Sequence, residues 1–199
     1  MPILKKDFNL KFGIILEPTN AEIQLGCLGS LNADLQINGK SAHSARPWMG
    51  DNPILKLTDL IEYIQANGIE ESVIDGLVFK RIISVTTIQG GSANNVIPSH
   101  LNININYRFL PTSNEVEASE VINKTFSNFG DIEIKHTSNG ALPNLDSQVV
   151  KDFIESTGAV VTPKQAWTDI ARFSEEGIPA VNFGPGDPLL AHSPDEVVN

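Results

Sequence analysis

Residues 101–109, LNININYRF, alternate strictly between apolar and polar side chains. Successive side chains of a β-strand point to opposite faces, so this alternation predicts a strand with one buried face. The predicted buried face consists of Leu101, Ile103, Ile105, Tyr107 and Phe109, and the polar face of Asn102, Asn104, Asn106 and Arg108. Residues 31–38, LNADLQIN, alternate in the same way and predict a second half-buried strand.

Two helices are predicted around these strands. Residues 51–68 predict the first, with Asp51 or Asn52 as its N-terminal cap. A capping box of Thr112 and Glu115 predicts the start of the second. The apolar stripe of the first helix consists of Ile54, Leu57, Ile61 and Ile64.

Two more strands complete a compact module. Residues 78–88, VFKRIISVTTI, are rich in β-branched side chains, and residues 131–135, DIEIK, predict a short final strand. The predicted order is β-α-β-β-α-β with one apolar sheet face. That order is the ferredoxin-like split βαβ arrangement.

The flanks of this module have a different character. Residues 11–16, KFGIIL, predict a strand buried on both faces, and residues 178–184, IPAVNFG, predict another buried strand. We therefore predict an α/β fold with an α+β lid. The ferredoxin-like lid occupies residues 30–137 and is inserted between residues 1–29 and 138–199, which form part of an α/β domain.

Composition and charge exclude several classes of function. The chain has 199 residues, 14 Lys and Arg against 24 Asp and Glu, and a net charge of -10. This acidic balance argues against nucleic acid or an anionic membrane as the main partner. The only cysteine, Cys27, excludes an internal disulfide and fits a reducing, cytoplasmic location.

Two side chains at predicted strand ends are candidate metal ligands. Glu17 directly follows the strand at residues 11–16, and His192 lies in the loop after residues 178–184. Strand ends of α/β sheets face the crevice where ligands bind, and His with Glu is a usual ligand pair for zinc. The alternatives are a solvated acid and a loop histidine bonded to the backbone.

A second group of candidates lies in the lid. His43 is surrounded by small residues in SAHSARPW, and an accessible donor there can stabilise an oxyanion. It is otherwise a surface histidine. Asn94, Asn95 and Arg108 suit the recognition of a carboxylate or an amide. The two asparagines alternatively only form a turn.

A third group precedes and opens a predicted helix in the last part of the chain. Thr168 and Arg172 belong to it, with Thr168 or Asp169 as the cap. The free N–H groups of a helix start can bind a carboxylate. The alternative is an ordinary cap with a surface arginine.

Four segments appear together in an order that resembles one family. They are EPT at 17–19, GKSAHSARPWMGDNPI at 39–54, GGSANNVIPSHLNININYRF at 90–109 and WTDIARFSEEGIPAVNFGPGDPLLAHSPDE at 167–196. As a set they resemble the M20 metallopeptidase/deacylase family, and within it the actinobacterial desuccinylases. The resemblance implies a catalytic domain interrupted by a ferredoxin-like lid, which forms a homodimer. It also implies a metal-dependent hydrolase that removes succinyl from N-succinyl-LL-2,6-diaminopimelate in lysine and diaminopimelate biosynthesis.

The resemblance also implies roles for the candidate residues. Two Zn²⁺ ions are expected, with Co²⁺ as the alternative, and Glu17 and His192 would each hold one of them. His43 would project from the lid of the partner subunit and stabilise the oxyanion. The residues expected to contact the small-molecule substrate are Asn94, Asn95, Arg108, Thr168 and Arg172.

One departure from the family pattern limits these expectations. The family has an HxxxD metal segment before the strand that ends in EPT, whereas no histidine of this chain is followed by Asp four residues later. We therefore expect a fragment that lacks the catalytic base and the bridging ligand and has negligible activity alone. The alternatives are another M20 deacylase or dipeptidase, such as one like acetylornithine deacetylase, or a non-catalytic dimerisation module.

Overall fold

Two large β-sheets organise the chain in the computed structural model, which describes residues 9–190 and residue 197. The larger sheet has five strands, all of them antiparallel to their neighbours. They are β3 (Ser30–Asn38), β5 (Ile69–Ile74), β6 (Leu77–Gly90), β8 (His100–Arg108) and β9 (Asp131–Ser138). Across the sheet they lie in the order β5-β6-β8-β3-β9.

Two helices belong to this sheet and give it the predicted topology. Helix α1 (Leu57–Asn67) follows β3, and α2 (Glu115–Phe126) follows β8. Along the chain the order is β3-α1-β6-β8-α2-β9, with β5 as an additional edge strand. The predicted ferredoxin-like arrangement is confirmed.

The core of this unit lies between the sheet and the two helices. Leu35 of β3, Ile103 of β8 and Ile122 of α2 are fully or almost fully buried in one cluster. The predicted buried faces of residues 31–38 and 101–109 are thereby confirmed. Burying one such aliphatic side chain contributes about 1.5–3 kcal/mol to stability, so the apolar residues of the alternating pattern contribute substantially to the free energy of folding.

The predicted start of α1 is wrong by about one turn. The Asn52 carboxamide oxygen accepts the N–H of Ile54 at 3.0 Å, and Asp51 pairs with Lys56 at 2.6 Å. Both predicted caps are thus engaged in a preceding turn, and the helix begins only at Leu57. The buried face also differs from the predicted stripe: Leu60 is the fully buried residue, whereas Ile61 is 44% exposed.

The predicted capping box of α2 is also displaced. Asn114, not Thr112, is the N-cap, and its Oδ1 accepts the N–H groups of Val116 and Glu117 at 2.9 and 3.0 Å. Glu117 accepts the N–H of Asn114 in return at 3.1 Å. Asn satisfies the free N–H groups at a helix start as well as Thr does, which explains the competition between the two sites.

Strand β5 is absent from the sequence-based prediction. It forms a hairpin with β6 through Asp75 and Gly76, both of which have positive φ angles of 51° and 78°. Asp-Gly between apolar residues is a strong signal for such a turn. The signal is present in VIDGLV at residues 73–78.

The smaller sheet combines strands from the early and late parts of the described chain. It contains β1 (Gly13–Ile15), β2 (Ile23–Leu25), β10 (Val161–Pro163) and β11 (Ala180–Asn182), in the order β1-β11-β2-β10. The predicted buried strand at 178–184 is confirmed, because all three residues of β11 are buried.

The expectation that residues 11–16 are buried on both faces is wrong. Strand β1 lies at the edge of its sheet, and Gly13 on one face is so close to Phe173 that a Cβ would lie 2.4 Å from the ring. On the other face Ile14 is partly exposed and Leu16 is 77% exposed.

Direct contacts connect the two large sheets. The side-chain amide of Gln165 donates to the carbonyl of Val78 at 2.7 Å, and its oxygen accepts the N–H of Lys80 at 3.0 Å. Helices α3 (Gln148–Thr157) and α4 (Ile170–Glu175) flank the smaller sheet. Among the described helices, none has the length and apolarity needed to cross a bilayer. The domain limits at residues 29/30 and 137/138 stay a prediction.

Candidate functional site

The structure brings His43 and the Asn94–Asn95 segment together. Strand β4 (Ala42–His43) pairs antiparallel with β7 (Val96–Ile97), so that His43 lies opposite Val96. The N–H of Ser44 donates to the carbonyl of Asn95 at 2.9 Å. His43, Asn94 and Asn95 are all exposed. Two motifs that are about fifty residues apart in the chain thus form one accessible surface.

The imidazole of His43 is held in one tautomer by its own loop. The backbone N–H of Ala45 donates to Nδ1 at 3.1 Å, and the carbonyl of His43 accepts the N–H of Arg46 at 2.8 Å. Because Nδ1 is an acceptor, the proton of the neutral ring resides on Nε2. An Nε2–H donor is the group needed to stabilise a developing oxyanion.

Arg108 lies half-buried on the polar face of the larger sheet, at the last position of β8. Its Nε donates to Oδ1 of Asn106 at 3.2 Å. Burial lowers the pKa of the Arg108 guanidinium below its usual value, although a guanidinium remains charged at neutral pH. Within residues 9–190, Arg81 and Arg172 have carboxylate partners, whereas Arg108 forms no ion pair, so its charge is free to meet an external anion.

His43 and Arg108 lie at opposite ends of the larger sheet. Strand β8 extends from His100 to Arg108. His43 lies near the His100 end of this strand. The carbonyl of Ser99, beside His100, accepts the N–H of Gly39 at 2.7 Å, and β7, which pairs with the strand of His43, directly precedes β8. At about 3.4 Å per residue, the two ends of β8 are roughly 27 Å apart. One small molecule therefore cannot contact both His43 and Arg108 of the same chain.

Thr168 precedes α4, but it does not act as the predicted cap. It is buried, and its hydroxyl has no hydrogen-bond partner among the described residues. Asp169 occupies the cap position, and its side chain makes no capping bond either. A buried hydroxyl without a partner is costly, and because Thr168 Oγ1 is shielded from solvent, an external ligand does not reach it in this conformation.

Arg172 is already engaged by its neighbours. Its guanidinium lies 5.5 Å from the centre of the Trp167 ring and pairs with both carboxylate oxygens of Glu175 at 3.2 Å. The side chain is about half exposed. A substrate carboxylate at Arg172 would have to compete with Glu175, which makes Arg172 a weaker anion site than Arg108.

The predicted metal ligands do not form a metal centre within the described residues. Glu17 follows β1, and its Oε2 lies 3.8 Å from the ammonium of Lys164, which is buried. His192 lies outside the described residues. In the part of the chain that the structure describes, no group of three or more His, Cys, Asp or Glu could hold an ion. Residues 9–190 thus do not form a metal site on their own.

Three residues in these sites had no role in the sequence-based prediction. Ala45 sets the tautomer of His43, Asn106 contacts Arg108, and Lys164 contacts Glu17. Asn106 lies on the predicted polar face of its strand, which was a usable signal. The other two act through a backbone N–H and through a contact between residues far apart in the chain, and neither leaves a pattern in the sequence.

Comparisons with known proteins agree with this architecture. A family sequence model described as the M20 peptidase dimerisation domain matches residues 25–131. The succinyl-diaminopimelate desuccinylase of Corynebacterium glutamicum is 41% identical, over 90% of this chain and 50% of that protein. The acetylornithine deacetylase of Myxococcus xanthus is 26% identical, over 94% of this chain and 53% of that protein.

A solved structure extends the comparison to the fold. The M20 family metallo-carboxypeptidase Sso-CP2 of Sulfolobus solfataricus superposes with a TM-score of 0.71 at 20% identity, covering 99% of this chain and 62% of that one. The chain spans about half the length of the curated relatives that it matches. The similarity thus covers nearly all of this chain and about half of theirs.

Proposed function

Because the chain belongs to the M20 peptidase family, we propose that it forms part of a metal-dependent amide hydrolase. The proposed reaction removes succinyl from N-succinyl-LL-2,6-diaminopimelate, in lysine and diaminopimelate biosynthesis. The identity of 41% to a relative named succinyl-diaminopimelate desuccinylase supports this substrate. The identity of 26% to an acetylornithine deacetylase makes other acyl amino acids the alternative.

The observation that carries the proposal is the separation of His43 from Arg108. They lie at opposite ends of a strand of roughly 27 Å. One acyl amino acid could use both groups, because the Nε2–H of His43 can donate to the oxyanion formed at its amide and Arg108 can bind its carboxylate. We therefore place them in one site built from two copies of the chain, in which His43, Asn94 and Asn95 of one subunit face Arg108 of the partner subunit.

The proposed roles follow from the donors that each residue offers. His43 stabilises the tetrahedral oxyanion, while Asn94, Asn95 and Arg108 bind substrate carboxylates. Thr168 and Arg172 line the same site. Two Zn²⁺ ions, or Co²⁺, are the proposed cofactor and would supply the activated water, with Glu17 and His192 as one ligand of each ion.

No histidine of this chain is followed by Asp four residues later, as in the metal segment expected from the resemblance, so we expect hydrolysis by this chain alone to be negligible. Binding of the substrate is therefore the direct test. In a nitrogen-15-labelled sample, N-succinyl-LL-2,6-diaminopimelate should shift the His43 ring and the Arg108 Nε signal along one saturation curve. An equal response to N-acetylornithine would favour the alternative substrate, and no response at either residue would contradict the proposal.

A second function, pairing of two copies through the lid, rests on a different observation. Strand β5 is an edge strand of the larger sheet, with Val73 71% exposed, and Ile61 of α1 is partly exposed beside Ser84 and Val85 of β6. An edge strand with exposed apolar side chains favours pairing with another chain. We propose a homodimer through this face. Sedimentation should give a dimer, and Val73→Lys should shift it towards the monomer.

A further inference from the structure

A chain of side-chain amides on the polar face of the larger sheet ends at Arg108. Nε of Arg108 donates to Asn106, and Nδ2 of Asn106 donates to Oδ1 of Asn32 at 2.9 Å. Asn32 also accepts from Asn104 at 3.4 Å, and Asn104 donates to the hydroxyl of Thr86 at 2.6 Å. We name this set of Asn32, Thr86, Asn104 and Asn106 the amide relay.

The amide relay has a firm geometric base. Asn32 and Asn106 are directly paired residues of β3 and β8. Thr86 is the extra residue at the irregularity of β6 between Val85 and Thr87. Such a bulge redirects a side chain out of the regular alternation, and here the Thr86 hydroxyl meets an asparagine of the neighbouring strand.

Burial along β8 increases from the far end of the polar face towards Arg108. Asn102 is exposed, whereas Asn104, Asn106 and Arg108 are half-buried. Polar groups removed from water need hydrogen-bond partners, and the relay supplies them through cross-strand contacts. Of the three guanidinium nitrogens of Arg108, the relay binds only Nε, through Asn106.

We propose that Asn106 and Asn32 are positioning residues that hold Arg108 ready for a carboxylate. With Nε held, the two terminal nitrogens of the planar guanidinium remain as a fork that matches both oxygens of one carboxylate. A side chain ordered in advance loses less entropy on binding. This inference rests on the proposed carboxylate-binding role of Arg108, and it assigns a specificity function to two residues that do not touch the substrate.

The relay itself can be measured without any ligand. In the nitrogen-15-labelled chain, the Nε proton of Arg108 should exchange with water at least about tenfold more slowly than that of exposed Arg46. Asn106→Ala should remove this protection. Asn32→Leu should reduce it, whereas Asn32→Asp, which keeps the acceptor oxygen, should retain it. Asn102→Ala, on the same strand face but outside the relay, is the matched control and should change nothing.

Ligand binding is read out in the same samples with succinate, and neutral succinamide serves as the control probe. Arg108→Lys should abolish saturable binding of succinate, because Lys lacks the fork. Asn106→Ala should weaken binding about five- to tenfold, as expected when one charge-assisted hydrogen bond is lost. Urea titration of each variant identifies loss of folding as a separate effect.

The two claims fail in different ways. Unchanged Arg108 proton exchange and unchanged succinate affinity in Asn106→Ala would overturn the positioning role. Unchanged succinate affinity in Arg108→Lys would overturn the carboxylate-binding role of Arg108, while the exchange data would still decide on the relay. If Asn106→Ala loses the slow exchange of the Arg108 proton and also binds succinate more weakly, both the positioning role and the carboxylate-binding role are supported.

Discussion

His43 lies opposite Val96 in the antiparallel pair of β4 and β7, so the histidine and the Asn94–Asn95 segment form one surface. This surface stands at the end of the larger sheet that is remote from Arg108. A single chain therefore presents two half-sites. In the proposed function, His43 serves the oxyanion and Arg108 a carboxylate, and the two reach one substrate only when two copies combine.

The tautomer of His43 should depend on the backbone N–H of Ala45. Ala45→Pro removes this donor to Nδ1 and should produce a mixture of Nδ1–H and Nε2–H tautomers. Ala45→Gly keeps the N–H and should retain the Nε2–H form. Ring nitrogen shifts in a long-range proton–nitrogen spectrum distinguish the tautomers. A pure Nε2–H form in Ala45→Pro would show that another contact sets it.

The register of α1 can be tested with two adjacent residues. Leu60 is fully buried, so Leu60→Ala should lower the free energy of unfolding by about 2–5 kcal/mol. Ile61 is partly exposed, and Ile61→Ala should cost about 1 kcal/mol or less. Urea denaturation measures both. The reverse order would mean that the helix face predicted from the sequence was right after all.

The cap of α2 makes a similar prediction at the surface. Asn114→Ala removes an acceptor of two backbone N–H groups and should lower the unfolding free energy by about 1 kcal/mol. Asn128, an exposed asparagine beyond the other end of this helix, is the control, and its replacement by Ala should cost less than about 0.5 kcal/mol. Equal effects would argue against the observed capping box.

Cys27 predicts a pH dependence of stability. Burial raises the pKa of its thiol above the usual 9.0, so the folded state prefers the neutral form. Its contribution is fully present below the unfolded pKa and is lost as the pH rises from there towards the folded pKa. Stability should therefore fall above about pH 9. Cys27→Ala should flatten this fall, and an unchanged slope would contradict the assignment.

Local periodicity explains why the lid could be predicted. The alternation at residues 31–38 and 101–109 requires no knowledge of distant contacts, and both buried faces are as expected. The start of α1 could not be predicted as well, because Asn52 bonds to the nearby N–H of Ile54 instead of capping the helix. Strand β5 was predictable from its Asp-Gly turn but was missed.

The site was predictable only in part. The motifs around His43 and Asn94 are visible in the sequence, whereas their pairing across β4 and β7 is a tertiary contact. The bond between Asn32 and Asn106 joins residues 74 positions apart, and no local pattern marks it. Residue types therefore suggested which side chains are candidates for the site, whereas strand pairing determines which of them lie side by side.

Mixing two defective chains tests the shared site most directly. His43→Ala and Arg108→Lys each remove one half-site from both copies of a homodimer, so neither variant alone should bind N-succinyl-LL-2,6-diaminopimelate tightly. After random exchange of subunits in an equal mixture, one half of the dimers are mixed, and each mixed dimer regains one intact site. Calorimetric titration should then recover about a quarter of the wild-type binding sites. A mixture that binds no more ligand than the separate variants would contradict a site shared between two copies.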